Sequence, residues 1–240
     1  MAEPKIRLHV DQPLGAGQAV ALSEAQANYL FAVMRLAVGA GVLLFNGRDG
    51  EWLAEVVEAT KRRGVLVCRS QTALQWMPPD LWLIFAPVRK ERTAFIVEKA
   101  VELGVSRLLP VTTRFTNAER MRTDKSRAHA VEAAEQCGAL FVPELAEVQP
   151  LERVLAAWPE GRRLIWADES LAGKGSWAEV PAGPAALLIG PEGGFSEDEK
   201  ARLRGLPFVS AISLGPRILR AETAALAVIV QWQARFGDWQ

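Results

Sequence analysis

The chain has 240 residues, of which 50% are hydrophobic and 23% are charged, and its formal net charge at pH 7 is zero. This length suffices for one large or two modest domains with proper cores, and the composition excludes a disordered protein. The zero net charge argues against a uniformly basic nucleic-acid binder. The two cysteines, Cys68 and Cys137, match neither a disulfide framework nor a metal-ligand spacing, and with only two histidines we expect no zinc cluster.

No targeting or membrane-spanning segment is predicted from the sequence. The initial segment MAEPKIRLHV lacks the apolar core of a signal peptide. No apolar run approaches the roughly 18 residues that a membrane span needs. We therefore expect a reduced, cytoplasmic protein with neither a membrane nor a metal as its partner.

Charge is unevenly distributed along the chain. Residues 89–127 hold ten Lys or Arg against five Asp or Glu, a net of +5, whereas residues 128–240 hold ten against fifteen, a net of −5. A basic stretch in a neutral protein is consistent with a face that meets an anion such as RNA phosphate. A solvated helix face explains the same stretch equally well.

Residues 1–72 are predicted to form a small β-rich unit. Ser23 begins a helical pattern of apolar residues. Two apolar runs then flank Asn46–Gly50, which carries both the NG and the DG turn signal of a hairpin. A further short strand is predicted at Val65–Cys68. The paired prolines of WMPPD break regular structure, so we place a domain boundary at residues 75–80.

From Leu81 the pattern changes to strands that alternate with helices. LWLIFAPV is a continuous apolar run, as expected of a strand that is buried on both faces of a parallel sheet. Further strand candidates are VSRLLPV, RLIWADE, AALLIGPE and VSAISLG. Helices are predicted at Arg92–Leu103, at Ser126–Cys137, from Ser196, where Ser196 and Glu199 form a capping-box pair, and from Leu219 to about Phe236. The predicted fold class is α/β, with a β-rich domain in front.

The predicted last helix has a wide apolar surface. Ala225, Leu226, Val228, Ile229 and Trp232 recur along it at mixed spacings. Because one sheet face requires less apolar surface than this, we expect part of the helix to contact a second subunit.

Two segments are candidate ligand loops: Leu187–Phe195 (LLIGPEGGF) and Ser213–Ala225 (SLGPRILRAETAA). In each, an apolar strand ends in a Gly-Pro turn that precedes a helix. Glycines at the carboxyl end of a strand let a ligand approach the backbone, and this edge is where α/β sheets bind ligands. Neither loop has the glycine spacing of a dinucleotide or triphosphate site. Together they predict adjacent walls of one pocket; a tight turn without a ligand is the alternative for each.

The order GPEGGFS-x-x-E followed by LG-x-RILR-x-ETA resembles the RsmE-type methyltransferases of the SPOUT superfamily. Upstream, the resemblance includes EKAVELGV (Glu98–Val105) and EAAEQCG (Glu132–Gly138). Near the start it includes VMRLAVG (Val33–Gly39) and FNGRDGEW (Phe45–Trp52). Nearly the whole chain is covered.

The resemblance implies a PUA-like RNA-binding domain at residues 1–74 and a SPOUT methyltransferase domain at residues 75–240. The last segments of the second domain would thread into a trefoil knot, which periodicity does not predict and base rates disfavour. The resemblance further implies a homodimer with the carboxyl-terminal helix near the interface. The implied cofactor is S-adenosyl-L-methionine, and the implied reaction is methylation of a uridine at N3 in the decoding region of 16S rRNA of the small ribosomal subunit.

The same resemblance implies the cofactor-binding loops, whereas the catalytic roles are hypotheses from the chemistry of the residues. Those expected to bind the cofactor are Leu188, Ile189, Gly190, Pro191, Glu192, Gly193, Gly194, Leu214, Gly215, Ile218, Leu219, Arg220 and Thr223. Arg220 is expected to stabilise the negative charge that develops on the uracil oxygens. Glu192 or Glu222 is expected to accept the proton or to orient the group that does, and Glu192 is equally a candidate cofactor contact. A structural ion pair between Arg220 and Glu222 is the alternative.

Basic residues are the candidates for RNA contact. The principal ones are Arg35, Arg89, Lys90, Arg92 and Arg114, and the further ones are Lys61, Arg62, Arg63, Arg120 and Arg122. Phosphate contacts of this kind give salt-sensitive affinity with little sequence information. Two places depart from the family pattern: Asn28 or Tyr29, where members often carry His, and Ala139–Phe141, where they often carry Arg. Both departures remove groups that are suited to hold RNA.

Two other functions stay open at this point. One is a SPOUT methyltransferase that acts on tRNA or on a ribose 2′-hydroxyl. The other is a non-catalytic RNA-binding or ribosome-assembly protein that kept the fold. The RILR-x-ETA segment disfavours the first, and the retention of both Gly-Pro loops disfavours the second.

Overall fold

The computed structural model describes residues 6–117, 121–171, 173, 177–178 and 180–240. The chain forms two compact units, Met1–Met77 with Ala134–Val142, and Pro78–Ala133 with Pro143–Gln240. The chain thus first passes between the units inside the segment of residues 75–80. The first unit also takes up a short piece from the middle of the chain, which no sequence pattern predicts.

The first unit is built on a sheet that is mostly antiparallel. Its strands are β1 (Arg7–His9), β2 (Ala19–Ala21), β3 (Gly41–Phe45), β4 (Glu51–Ala59) and β5 (Gly64–Ala73). Their order in the sheet is β1-β3-β4-β5-β2, and β1 pairs with β3 in the parallel sense. Val20, Leu44, Val56 and Leu66 are fully buried between these strands and form the core of the unit.

The predicted helix that begins after Ser23 is confirmed, but it soon changes from an α-helix to a π-helix. Ser23 and Gln26 form a capping box at the start of α1 (Glu24–Ala27). The chain then continues as a π-helix over Asn28–Val33. Arg35, which follows it, has a φ of 57°, in the left-handed region that residues with a side chain seldom adopt.

The predicted hairpin is confirmed, and its loop Asn46–Gly50 joins β3 to β4. The Asp49 carboxylate accepts hydrogen bonds from the backbone N–H of Leu14 at 2.9 Å and from the Asn46 side-chain amide at 2.7 Å. These bonds, the one from Leu14 first, hold the pKa of Asp49 below its ordinary value because they favour the charged form. Asp49 therefore ties the hairpin loop to the segment between β1 and β2.

The two cysteines differ in their surroundings. Cys68 is fully buried in the core of the first unit, and burial raises the pKa of its thiol. Cys137 is exposed. Neither forms a disulfide.

The second unit is a parallel sheet with helices between the strands. Its strands are β6 (Leu81–Phe85), β7 (Arg107–Thr112), β8 (Glu144–Leu145), β9 (Gln149–Pro150), β10 (Arg163–Ala167), β11 (Ala185–Ile189) and β12 (Val209–Ile212). Its helices are α2 (Lys90–Glu102), α3 (Thr123–Cys137), whose last turn belongs to the first unit, α4 (Leu151–Ala156), α5 (Glu197–Arg204) and α6 (Ala221–Phe236), with a 3-10 turn at Glu169–Leu171. The strand order is β12-β10-β11-β6-β7-β8, and β9 also pairs with β7.

The parallel sheet is buried on both faces, as is typical where helices connect the strands. Every residue of β11 is buried, as the continuous apolar run AALLI predicts. The five strands and the capped helix start at Ser196 that the sequence predicts are confirmed. The run LWLIFAPV pairs only as far as Phe85, and its end leaves the sheet to lead into α2 at Lys90.

Helix α6 buries one face against the second unit. Val228, Ile229 and Trp232 lie in the core, whereas Val230 is 38% exposed. The side chain of Gln233 is fully buried, and its amide donates a 2.7 Å hydrogen bond to the carbonyl of Leu103, at the end of α2. This bond fixes α6 against α2.

Within the described ranges, the helices are all too short or too polar to cross a bilayer. The same part of the chain holds no cluster of three or more His, Cys, Asp or Glu side chains placed to bind a metal ion.

Candidate functional site

A cavity of about 390 Å³ lies at the carboxyl edge of the sheet in the second unit. Its lining consists of Ala167, Asp168, Glu169, Ile189, Gly190, Pro191, Glu192, Gly193, Gly194, Ser213, Leu214, Gly215, Arg217, Ile218, Leu219, Arg220, Ala221 and Ala224. Strands β11 and β12 flank β10, and all three run in the same direction, so the two Gly-Pro loops meet across the end of β10. We call this space the first cavity.

Most of the residues predicted to bind the cofactor line the first cavity; Leu188 and Thr223 are the two that do not. Leu188 is fully buried in the core of the sheet, because side chains of successive strand residues point to opposite faces. Thr223 is exposed on the first turn of α6. The structure therefore shows no contact of these two side chains with the cavity.

Sequence patterns missed the floor of the first cavity, which is the end of β10. Asp168 and Glu169 line it, although no glycine marks this loop. The Asp168 side chain is fully buried and accepts hydrogen bonds from the backbone and hydroxyl of Ser170 and from Arg204 at 3.0 Å. Asp168 therefore fixes the loop to α5. The sequence signal that could have indicated this part of the cavity is the acidic pair of Asp168 and Glu169 directly after a buried strand.

Two glycines shape the walls of the first cavity. A Cβ at Gly190 would lie 2.7 Å from the Phe195 ring, so a side chain at Gly190 would displace the end of the loop at Phe195. Gly215 has a φ of +120°, and a Cβ there would meet no protein atom within 4 Å. The Ser213 hydroxyl accepts a hydrogen bond from the Gly215 N–H and holds this corner. The space beside Gly215 is thus open to a ligand.

The lining of the first cavity combines apolar surface with charged groups of both signs. Ile218 lines it and is 83% exposed, which is unfavourable for a large apolar side chain unless a ligand covers it. Ile189 and Leu214 add apolar surface, and Glu169 and Glu192 supply carboxylates.

Arg92 joins the two Gly-Pro loops through ion pairs. Its Nη1 lies 2.8 Å from Oε1 of Glu192, and its Nε lies 3.4 Å from Oε1 of Glu222. The other oxygen of Glu222, Oε2, is buried without a hydrogen-bond partner among the described residues. Arg92, predicted from charge as an RNA contact, thus binds two carboxylates of the candidate site.

The alternative ion pair between Arg220 and Glu222 does not form. Glu222 pairs with Arg92 instead. In the described part of the chain, the Arg220 guanidinium has no carboxylate partner, and Arg220 lines the first cavity at the N-cap of α6. Its charge is therefore available to a ligand.

A second cavity of about 740 Å³ adjoins the first and shares Pro191 and Glu192 with it. The remaining described residues that line it are Pro87, Val88, Arg89, Lys90, Thr93, Ala94, Asn117, Met121, Arg122, Lys125, Ser126 and His129. They come from the loop after β6, from α2, from the segment between β7 and α3, and from α3. The predicted RNA residues Arg89 and Lys90 thus lie beside the candidate site.

Arg122 also lines the second cavity, whereas Arg35 and Arg114 lie elsewhere. Arg35 is exposed in the first unit. Arg114 lines a third cavity, of about 450 Å³, together with Glu152, Asp198 and Glu199. Acidic neighbours of this kind disfavour phosphate, so the structure gives Arg114 little support as an RNA contact. Arg120 lies outside the described residues.

The two departures from the family pattern have different surroundings. Asn28 and Tyr29 are exposed on the π-helix of the first unit. Ala139, Leu140 and Phe141 are buried, and the Phe141 ring packs edge-on against Trp76 at 6.3 Å. The second departure therefore serves packing within the first unit.

Several known proteins are similar to this chain over nearly its whole length. Residues 76–233 match the family described as RNA methyltransferase domain, and residues 22–67 match the RNA methyltransferase PUA domain. The ribosomal RNA small subunit methyltransferase E of Rickettsia conorii is 27% identical over 230 residues, which are 94% of this chain and 93% of the relative.

Two solved structures have the same fold. The ribosomal RNA small subunit methyltransferase E from Neisseria gonorrhoeae, bound to S-adenosyl methionine, has a TM-score of 0.87 at 28% identity and covers 98% of this chain and 99% of its own. A Legionella pneumophila protein in complex with SAM has a TM-score of 0.85 at 30% identity, over 97% of this chain and 98% of its own. The α/β fold with a PUA-like domain in front is thereby confirmed.

Proposed function

Since this chain belongs to the family of ribosomal RNA small subunit methyltransferases E, we propose that it methylates small-subunit rRNA with S-adenosyl-L-methionine as the methyl donor. The proposed position is N3 of a uridine in the decoding region of 16S rRNA, as the sequence resemblance implies. The observation that carries the proposal is the first cavity, where both Gly-Pro loops meet beside Arg220.

The residues of the first cavity fit S-adenosylmethionine. Its volume of about 390 Å³ lies in the range of small-molecule sites. Ile189, Leu214 and Ile218 offer apolar surface to the adenine, and the open space at Gly215 lets it approach the backbone. Glu169 and Glu192 are suited to its positive charges. When bound, the cofactor supplies a methyl group that the sulfonium activates for transfer.

Arg220 is proposed to stabilise the transition state. Loss of the N3 proton places negative charge on the uracil oxygens, and a guanidinium without a carboxylate partner can compensate that charge. Arg220 lies at the N-cap of α6, where the helix dipole adds positive potential. Because the Arg220 guanidinium already lies beside the cavity before the reaction, it does not have to move as the negative charge develops.

Glu192 is proposed as the proton acceptor. It lines both cavities, so it can face groups bound in either of them. Glu222 holds the opposite side of Arg92, and its role in the proposal is to fix that guanidinium. Arg92 in turn keeps Glu192 in place through the 2.8 Å ion pair.

Methylation of small ribosomal subunits that lack the modification tests the function. Identification of the product nucleoside by mass spectrometry should give 3-methyluridine, at a single decoding-region position. A 2′-O-methylated nucleoside, or methylation of tRNA in its place, would select the alternative enzyme. Absence of any heat of binding on calorimetric titration with S-adenosylmethionine would favour a non-catalytic RNA-binding protein.

We also propose that two copies of the chain associate through α6. The helix buries one face in its own unit and leaves Val230 exposed on the other, with Leu226 and Ala227 half-buried.

The trefoil knot that the resemblance implies is part of the same proposal. In its support, the chain passes from one side of β10 to the other between β11 and β12.

A further inference from the structure

The second cavity lies directly beside the first. Transfer of a methyl group requires the reacting atoms to approach within about 3–3.5 Å, so the methyl acceptor must bind next to the donor. The second cavity shares Pro191 and Glu192 with the first, whereas the third cavity shares no lining residue with it. Of the three, only the second is placed to hold an acceptor.

Cations without partners surround the second cavity. Arg89, Lys90 and Lys125 line it, are exposed, and form no ion pair within the described residues. Arg122 differs, because Asp124 binds its guanidinium at 2.6 Å. Unpaired cations around a concave space concentrate positive potential, which attracts the phosphates of a polynucleotide.

The lining of the second cavity combines apolar and polar groups. Pro87, Val88 and Ala94 contribute apolar surface. Ser126 lines the cavity and is 6% exposed. The Thr93 hydroxyl bonds to both backbone groups of Val88.

We infer that the second cavity receives the acceptor nucleotide of the RNA, an inference that rests on the proposed function. The base lies against the apolar wall with its N3 edge towards Glu192 and the first cavity, and the flanking phosphates lie on Arg89, Lys90 and Lys125. Glu192 stands between the base and the cofactor. The target nucleotide leaves its stack to enter, as nucleotides do for enzymes that modify a base within a polynucleotide.

The first test compares two charge reversals on α3. Lys125 lines the second cavity and Arg127 does not, although both are exposed and only two positions apart on the helix. Lys125→Glu should lower kcat/KM for small subunits about tenfold or more, since it places negative charge where a phosphate binds. Arg127→Glu should lower it less than about threefold, as expected of a general electrostatic effect. Equal losses in the two variants would overturn the inference.

The second test fills the cavity without a change of charge. Ala94→Phe should lower kcat/KM about tenfold or more, because the new ring occupies the space of the base. Ala128→Phe, at an exposed position outside the cavity, is the matched control. Calorimetric binding of S-adenosylmethionine should be unchanged in both, since neither residue lines the first cavity. Full activity of Ala94→Phe, with normal thermal melting, would contradict the inference.

A binding measurement separates this inference from the proposed function. Fluorescence anisotropy with a short uridine-containing single-stranded RNA reports binding without any methyl transfer. If the wild-type protein methylated no ribosomal subunit, the function would fail. Weaker RNA binding by Lys125→Glu than by Arg127→Glu would still support the cavity as a nucleotide site, and equal binding would refute it.

Discussion

The guanidinium of Arg92 binds carboxylates from two loops that are far apart in the sequence. Glu192 follows β11 and Glu222 opens α6, so a single side chain on α2 sets the spacing between the loops. The pairs are partly buried, which makes their geometry matter more than that of an exposed ion pair. A change at this residue should therefore affect catalysis even though Arg92 does not line the first cavity.

Arg92→Ala should lower kcat for methylation about ten- to a hundredfold, because both carboxylates lose a charged hydrogen-bond donor. Arg92→Lys, which keeps one ion pair at a time, should recover part of the loss. Single-turnover methylation of small subunits at saturating cofactor measures the effect. A variant that keeps kcat but binds subunits more weakly would instead make Arg92 an RNA contact.

Arg220→Ala should lower kcat about a hundred- to a thousandfold, the usual effect of removing one preorganised donor to developing negative charge. The dissociation constant for S-adenosylmethionine should change far less, because apolar and backbone groups supply most of the cavity wall. Methylation kinetics and calorimetry on the same preparation test both statements. Full turnover with normal cofactor binding would exclude the electrostatic role.

Among the elements, the hairpin loop Asn46–Gly50 is held in its conformation by the carboxylate of Asp49. Asp49 accepts hydrogen bonds from Leu14 and Asn46, and its backbone carbonyl accepts one from the indole N–H of Trp52. The loop thus connects three parts of the first unit. The charged form of Asp49 is the one that these bonds stabilise.

Asp49→Ala should reduce the free energy of unfolding at pH 7 by about 1–2 kcal/mol, through loss of hydrogen bonds to a charged group. The pKa of Asp49 is lower in the folded protein than its ordinary 3.8, so the stabilisation is fully present above about that pH. It is lost as the pH falls through the folded pKa. Urea unfolding at several pH values should therefore show the difference from wild type shrinking below about pH 4. Glu58→Ala, at an exposed position on β4, is the matched control.

Long buried elements could be predicted from the sequence, and short ones could not. AALLI and LWLIF have no polar interruption, so their assignment as central strands needed no tertiary information. The strands β8 and β9 have two residues each, too few for any period to be visible. Helix α4, with six residues, has no side-chain cap to mark its start.

The residues of the candidate site likewise include some that could be predicted from the sequence and some that could not. Glycines and prolines in the sequence predicted the loops after β11 and β12, because the local backbone conformation of these loops requires those residue types. The end of β10 and the partners of Arg92 depend on strand order and on contacts across the fold. Only the folded chain brings Asp168, Glu169 and Arg92 to the loops, and the acidic pair after β10 does not by itself indicate which loops it meets.

For the molecule as a whole, the structure divides the basic stretch of residues 89–127 into paired and unpaired cations. Arg92, Lys99, Arg107 and Arg122 each bind a carboxylate, as their ion pairs show. Arg89, Lys90 and Lys125 have none among the described residues and line the second cavity. The paired cations fit the solvated face, and the unpaired ones are those to which the proposed RNA contact applies.

Val230→Glu should convert the proposed dimer to a monomer, because it places a charge in an apolar contact between two copies of α6. Sedimentation velocity at micromolar concentration measures the mass directly. Val38→Glu is the matched control, since Val38 is 62% exposed but lies in the first unit. A wild-type protein that sediments as a monomer would refute the proposed association through α6.

The unequal surroundings of the two thiols give the native chain a built-in attachment point for a fluorophore. Maleimides react with the thiolate, which burial and a raised pKa suppress at Cys68, whereas Cys137 is open to the reagent. Labelling under native conditions should thus place one dye per chain at the end of α3. Such a conjugate would report the docking of the protein onto ribosomal particles in real time, with every residue of the natural sequence in place.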